Sequence, residues 1–240
     1  MKISILIEFF HIYFIMASLV CFGSCNGVIS KEENLFRTNV IKLNELLIEY
    51  ENIPDENKVD GMTTIITKNK MRTKSFYEKT AADWRSIDNT LFKLQKSDLL
   101  NKWKLDMIFC RSVLCSKLVE IDAKEDTVLK SISAIDEYIS NYSRYKLNKW
   151  TKKAMRESVF NNYAKVFTPQ FSDEENISII FQMMKAFQFM RQRNYVEAIK
   201  IYKNIVINYP TSYLVDNAKI QIKTCKELND VLLKTSIRGN

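Results

Sequence analysis

The side chains that most often perform catalysis are scarce in this chain of 240 residues. Its single histidine, His11, lies in an apolar N-terminal segment that we expect to be a leader, so a processed chain would have no imidazole for general-base work or metal binding. The acids Asp173-Glu174-Glu175 could act as a carboxylate pair, but adjacent acids at a predicted helix start are explained by capping and by the helix dipole. The sequence therefore predicts a protein that is not an enzyme and that has no catalytic residues, no cofactor and no metal site.

The one cysteine with a predicted chemical role is Cys25. It follows a mostly apolar stretch, residues 3–20, and ends the sequence Phe22-Gly23-Ser24-Cys25. This sequence resembles the bacterial lipobox, in which small residues precede a cysteine that is lipidated and becomes the new N-terminus, although Phe22 replaces the usual Leu, Val or Ile. The resemblance implies that residues 1–25 are a signal peptide and that Cys25 is lipidated. A cleaved signal without lipid and an uncleaved membrane anchor remain alternatives, because the apolar stretch is almost long enough to span a bilayer.

The cysteines beyond the leader do not form a predictable disulfide framework. They are three in number, Cys110, Cys115 and Cys225. The first two are five residues apart, so on a helix they would point about 140° away from each other and could not readily pair. We therefore predict that they are small core side chains without a redox or metal role.

Composition favours helices and gives no sign of a nucleic-acid partner. Four glycines and three prolines are too few for a turn-dense β architecture or a glycine-rich phosphate loop. The formal net charge is +8, but the basic residues are scattered among acids and never form a run of five. This pattern is typical of a solvated, mildly cationic surface, which could also favour anionic lipids or acidic polymers.

Helical periodicity and helix-start signals divide the chain into a tether and a helical body. Residues 26–75 are predicted to form a tether with one amphipathic helix, which ends before Pro54, and a loop over 55–74. Capping-box spacing recurs in the body at Ser75/Glu78, Asp122/Glu125, Ser172/Glu175 and Asn194/Glu197. The pattern predicts helices at about 76–96, 98–121, 123–142, 146–167, 173–192, 195–209 and 213–233, joined by short connections as antiparallel hairpins.

The most specific pattern lies between residues 186 and 210. Six residues have the order and spacing of the tetratricopeptide repeat (TPR), namely Ala186, Phe189, Tyr195, Ala198, Tyr202 and Pro210. This stretch resembles that repeat family, although Gln182 and Lys185 stand where the repeat usually has Trp and Leu. The resemblance implies an all-α domain over 76–240, with antiparallel hairpins stacked as a short TPR-like solenoid. Its clearest repeat would span 177–212, and a capping helix would span 213–233.

A second, weaker copy of the repeat is suggested by residues 134–143. It is about one helical turn shorter and lacks the proline. The repeat phase does not run cleanly from this copy to the next one, so an extra helix or a degenerate repeat is expected between them.

The predicted function follows from the surface that such a repeat would leave open. By the geometry of the repeat, its concave side would present Met183, Met184, Phe187, Met190 and Arg191, a strip suited to holding a peptide or helix. A strip of Met and Phe at helical spacing can equally be ordinary core.

The repeat is similar to those of bacterial envelope lipoproteins, including the outer-membrane β-barrel assembly type. This resemblance implies a membrane-tethered adaptor, facing the periplasm from the outer membrane and binding a protein partner in the cell envelope. The alternative is a cationic accessory protein associated with cell wall or lipid.

Overall fold

A computed structural model describes residues 29–53 and 73–238, and within these ranges the chain is helical and contains no strand. The chain divides into two compact units, Met1–Leu35 and Phe36–Asn240. In the first unit, a helix begins at Lys31, where Ser30 Oγ accepts a hydrogen bond of 3.1 Å from the Glu33 amide. The predicted signal peptide and most of the predicted loop lie outside the described residues.

Nine α-helices are present in the described ranges, together with one 3-10 helix and one π-helical turn. We number the α-helices in chain order: α1 Lys31–Asn52, α2 Lys74–Gln95, α3 Lys104–Ile121, α4 Glu125–Asn141, α5 Lys149–Ala154, α6 Asn161–Ala164, α7 Asp173–Arg191, α8 Tyr195–Asn208 and α9 Val215–Arg238. The 3-10 helix spans Asp98–Trp103 and the π-helical turn spans Arg156–Phe160.

The long helices agree with the periodicity of the sequence. The predicted amphipathic helix is α1, and its five apolar stripe residues are all buried, namely Phe36, Val40, Leu43, Leu47 and Tyr50. The prediction of an all-helical domain is therefore confirmed for the described residues. The TPR-like solenoid stays a prediction.

Two of the four predicted helix caps are confirmed. Ser172 Oγ accepts a hydrogen bond of 3.2 Å from the Glu175 amide at the start of α7. Asn194 Oδ1 accepts one of 3.3 Å from the Glu197 amide at the start of α8. Each cap satisfies an amide that has no partner within its helix.

The other two predicted caps are wrong. Thr73, not Ser75, caps α2, because its side chain accepts a hydrogen bond from the Phe76 amide. Asp122 stands at the end of α3 rather than at the start of α4, and its carboxylate pairs with the Arg85 guanidinium of α2. The side chain that the spacing predicted to be a helix cap thus forms an ion pair with another helix.

The predicted helix over 146–167 is broken into three pieces. Helix α5 ends at Ala154, and the chain continues through the π-helical turn into the single turn of α6. The segment contains no Gly or Pro that could have predicted the break. Its cause is tertiary, because Met155 and Val159 are both buried in the core and Ser158 donates a hydrogen bond of 2.7 Å to Asn44 of α1.

The larger core of the second unit is built from α1 residues from Phe36 onward, from α2 to α5, and from one side of α7. It is rich in aromatic side chains that contact each other edge to face or at a tilt, as in the pairs Trp103–Trp150 and Tyr138–Phe181. Such pairs contribute about 0.5–1.5 kcal/mol beyond their buried area. Cys110 and Cys115 are buried free thiols, as predicted, and burial raises the pKa of both.

Helix α7 is shared between this core and a smaller one. Ile177 and Phe181 face the larger core, whereas Ile179 and Ala186 face the smaller core, which is completed by α8 and α9. Because α7 buries residues on two sides, its position is determined by both cores. It therefore joins the two cores of the second unit.

Candidate binding groove

The turn between α7 and α8 brings these two helices into an antiparallel hairpin. Arg193 lies in the left-handed region with φ 60°. The Arg193 amide donates a hydrogen bond of 2.9 Å to the Met190 carbonyl, and the Asn194 amide donates one of 2.9 Å to the Phe189 carbonyl. This is the Schellman pattern, which usually has Gly at the left-handed position. The turn reverses the chain within three residues and so places α8 directly against α7.

The repeat-signature residues lie at the interface of this hairpin. Ala186 and Ala198 are both fully buried, and two small side chains at such a contact allow the helices to approach closely. Tyr195 and Tyr202 are buried beside them, and the Tyr202 hydroxyl donates a hydrogen bond of 3.4 Å to Met190 Sδ. Phe189 is half-buried against the same cluster, and Pro210 is exposed in the turn that follows α8.

Helix α4 packs on the opposite side of α7 and runs antiparallel to it. Gln188, near the end of α7, donates a hydrogen bond of 2.8 Å to Ser131 Oγ, and Lys185 Nζ lies 2.5 Å from Asp136 Oδ1. At the start of α7 the Glu174 carbonyl accepts a hydrogen bond of 3.2 Å from the Tyr138 hydroxyl. Since α8 is also antiparallel to α7, helices α4 and α8 run in the same direction on either side of it.

These three helices enclose an open groove of about 720 Å³, with α7 as its floor and α4 and α8 as its walls. Its volume lies in the range typical of ligand sites. The residues that line it are Asp136 and Ile139 from α4, Gln182, Lys185 and Phe189 from α7, and Val196, Glu197, Ile199, Lys200, Ile201, Lys203, Asn204 and Ile207 from α8.

On the α8 wall, the exposed side chains of the groove are apolar near the two ends and cationic between them. Val196 and Ile207 on α8 are 66% and 73% exposed, and they lie at opposite ends of the helix. Between them Lys200 and Lys203 stand on the α8 wall, and Lys185 stands on the floor. Exposed large aliphatic side chains beside cations are suited to a partner that offers both apolar and acidic groups.

The structure does not place the sequence-predicted strip on one surface. Met184 is half-buried against the larger core, whereas Met183 and Met190 are half-buried against the smaller one. Phe187 is 54% exposed, and Arg191 donates a hydrogen bond of 3.3 Å to the Val119 carbonyl. None of the five residues lines the groove between α4 and α8. Their role in partner binding stays a prediction.

Sequence reasoning assigned none of the residues that line this groove to partner binding. Gln182 and Lys185 are the two residues that depart from the usual repeat, and both line the groove. Gln182 accepts a hydrogen bond of 3.0 Å from Asn204 Nδ2, and Lys185 pairs with Asp136 of α4. The departure from Trp and Leu toward polar side chains was the available signal, since polar residues on an inward stripe need partners across the interface.

A second group of polar side chains is buried where α3, α5 and α7 meet. Asp106 Oδ1 accepts a hydrogen bond of 2.8 Å from the Asn148 amide, and Glu174 Oε1 lies 3.0 Å from Lys152 Nζ. Burial, with a smaller contribution from the Glu174 carboxylate, raises the pKa of Asp106 from 3.8 to about 6. Both carboxylates are almost fully buried, so they join elements of the fold rather than face a substrate.

The part of the chain that the structure describes contains neither a cluster of metal ligands nor a candidate membrane-spanning helix. Over residues 29–53 and 73–238, no three side chains of the types His, Cys, Asp or Glu gather as metal ligands would. None of the described helices combines the length and the apolar character that a membrane crossing requires. Cys25, the predicted lipidation site, lies outside the described residues.

Comparisons with known proteins identify no relative. Searches against protein-family models, curated proteins and solved structures gave no significant match. Over the described residues, the fold defines an all-α protein whose second unit contains consecutive antiparallel helices and an open groove.

Proposed function

We propose that this protein is a non-catalytic adaptor that binds a protein partner in the groove between α4 and α8. The observation that carries the proposal is the pair of strongly exposed aliphatic side chains, Val196 and Ile207, at the two ends of a groove with charged residues between them. When a partner covers solvated apolar side chains, their burial stabilises the complex by about 25 cal/mol for each Å² of apolar surface removed from water.

The TPR-like solenoid is part of this proposal. It is supported by Ala186 and Ala198, which are buried in the same core within one helical hairpin, and by α9, which follows α8 and adds Ala218 and Cys225 to that core. In a solenoid each helical hairpin packs on its neighbours and leaves a continuous surface for ligands. The groove would be one segment of such a surface.

Attachment to a membrane through a lipid on Cys25 completes the proposal. Its support is the apolar stretch 3–20 followed by the lipobox-like residues that end at Cys25. Intact mass and metabolic lipid labelling of the protein from its native host, compared with Cys25→Ala, test this part. A mature chain that begins at acylated Cys25 is expected, and an unlipidated chain would overturn the lipoprotein assignment while leaving the groove unaffected.

Photo-crosslinking tests the adaptor function directly. A photoreactive amino acid would be placed at position 196 or 207 in the groove, or at position 220 or 231 as a control. Ile220 and Val231 are similarly exposed but lie on α9, outside the groove. We expect one partner to be crosslinked from the groove positions only, and it would be identified by mass spectrometry and purified.

The affinity of that partner for the full chain would then be measured by calorimetry. The double variant Val196→Asp/Ile207→Asp should weaken binding at least about tenfold, because each aspartate would be desolvated against an apolar partner surface. Ile220→Asp/Val231→Asp is the matched control and should bind normally. Equal losses in the two double variants, or crosslinks only from α9, would contradict a groove-based function.

A further inference from the structure

We infer that the occupant of the groove is an amphipathic helix whose contacting stripe has acidic residues between two apolar anchors. This inference rests on the proposed function and names the chemistry of the partner. It follows from the order of side chains along the groove, from their charges, and from the way the walls present them.

Along the exposed face of α8, the order of side chains in the groove is apolar, cationic, apolar. At one end, Phe189 near the end of α7 stands beside Val196 at the start of α8. At the other end, the Gln182–Asn204 hydrogen bond joins the floor to the wall, and Ile207 lies one turn beyond it. Lysines occupy the interval between these ends, so the two apolar anchors of a partner must be separated by the cationic region.

The charges of the lining favour an acidic partner. Three lysines stand against two acids. Lys185 pairs with Asp136, and Lys200 Nζ lies 3.7 Å from Glu197 Oε2. Lys203 contacts no carboxylate within 4.0 Å in the described part of the chain, so an acidic group of the partner would be its first counter-charge. Both Lys200 and Lys203 are exposed, and they would attract acidic groups without first breaking a buried ion pair.

The walls favour a helix over an extended peptide. Every wall is an α-helix whose backbone groups are already hydrogen-bonded, so an extended strand would find no ladder for its amides. A helical partner satisfies its own backbone and needs only side-chain contacts. The stripe Val196, Lys200, Lys203 and Ile207 has the spacing four, three, four and covers about 16 Å, or three helical turns.

Three synthetic peptides test the inference against the full chain. Each is helical and carries Leu at its second and thirteenth positions, which reproduces the spacing of Val196 and Ile207. The sixth and ninth positions are Glu in the first peptide, Gln in the second and Lys in the third. Fluorescence anisotropy should show that the Glu peptide binds at least about tenfold more tightly than the Lys peptide, with the Gln peptide between them.

Charge reversal on the wall provides the reciprocal test. Lys200→Glu/Lys203→Glu should invert the order of affinity, so that the Lys peptide binds best. The matched control, Lys219→Glu/Lys223→Glu, changes two exposed lysines of α9 and should leave the order unchanged. Binding of the Glu peptide to the native chain should also weaken as salt screens the lysines. Circular dichroism melting verifies that each variant is folded.

The results separate the inference from the function on which it rests. The acidic stripe is overturned if the Glu peptide shows no binding at about 1 mM, if the Lys peptide binds equally well, or if charge reversal on the wall has no effect. If the crosslinked native partner still depends on Val196 and Ile207 but not on Lys200 and Lys203, the adaptor function stands and only its acidic chemistry fails. Absence of any crosslink from the groove positions removes the adaptor function itself.

Discussion

The carboxylate of Asp106 and the backbone amide of Asn148 form a hydrogen bond of 2.8 Å that joins the first turn of α3 to the start of α5. Asp106 is fully buried. A carboxylate that is removed from water in this way is costly when ionised, and this cost exceeds the opposing effect of its hydrogen bonds. This cost explains why the pKa of the group rises to about 6.

A pH-dependent stability follows from Asp106. The pKa of Asp106 is about 6 in the folded protein and 3.8 ordinarily. Between pH 3.8 and about 6, Asp106 is therefore protonated in the folded state and ionised in the unfolded state. The contribution of Asp106 to stability is thus largest below pH 4, falls as the pH rises to about 6, and stays low above that.

The Asp106→Asn variant should remove this dependence. The amide of the substituted side chain still accepts the hydrogen bond from Asn148 and carries no charge. The unfolding free energy of the variant minus that of the native chain should therefore rise from near zero at pH 4 to about 2–3 kcal/mol at pH 7. Urea unfolding at several pH values measures the difference. A difference that stays constant over this range would contradict the assignment, and a carboxyl titration of Asp106 by nuclear magnetic resonance gives an independent check.

A second prediction concerns Arg111, which links three helices. Its Nε lies 2.8 Å from Asp88 Oδ1 of α2, and its Nη1 lies 2.9 Å from Gln95 Oε1 and 3.6 Å from Glu137 Oε2 of α4. The Arg111 side chain is only 11% exposed. Arg111→Met should therefore leave the nearby carboxylates without their counter-charge in a poorly solvated site, and it should lower the unfolding free energy by about 2–3 kcal/mol.

A double-mutant cycle with Asp88→Asn measures the coupling within this network. We expect a coupling energy of about 1–2 kcal/mol. The matched control is Lys219→Met, which removes an ion pair with Asp216 on the exposed surface of α9 and should change stability by less than about 0.5 kcal/mol. Equal effects of the two single substitutions would show that burial does not strengthen the Arg111 network.

A third prediction concerns the turn that shapes the groove. Arg193 adopts φ 60°, where a side chain with a Cβ atom is disfavoured by about 1 kcal/mol. Arg193→Gly should therefore stabilise the fold by up to about 1 kcal/mol, reduced by the greater freedom of glycine in the unfolded chain. Arg193→Val should destabilise it, since a β-branched residue fits this region worst. Thermal melting that ranks Val at or above Gly would exclude the left-handed turn.

A fourth prediction concerns the close contact between α7 and α8. Ala198 is fully buried in the smaller core, so Ala198→Leu should overpack the interface and cost about 1–3 kcal/mol. The nearby control, Lys200→Leu, changes an exposed side chain of the same helix and should stay within about 0.5 kcal/mol. Urea unfolding compares the two. A tolerated leucine at position 198 would mean that the helices are further apart than in this structure.

Local patterns in the sequence predicted the long helices and two of the residues that cap them. The apolar stripe of α1, the caps at Ser172 and Asn194, and the buried faces of Ala198 and Tyr202 depend on residues that are close in the chain. Helical periodicity and capping are local effects, so a sequence read by itself carries them. The lipid on Cys25 and the adaptor function stay predictions.

Contacts between distant residues decided the features that the sequence did not show. The break after α5 depends on the burial of Met155 and Val159 in the core. Asp122 forms an ion pair instead of a helix cap because Arg85 of another helix lies beside it. The groove itself requires Asp136 and Lys185, which are far apart in the chain, to meet across α4 and α7. The sequence by itself thus determined that the chain is helical and which faces of the main helices are apolar. Only the tertiary structure decided which polar side chains face each other, because that depends on helix packing rather than on spacing along one helix.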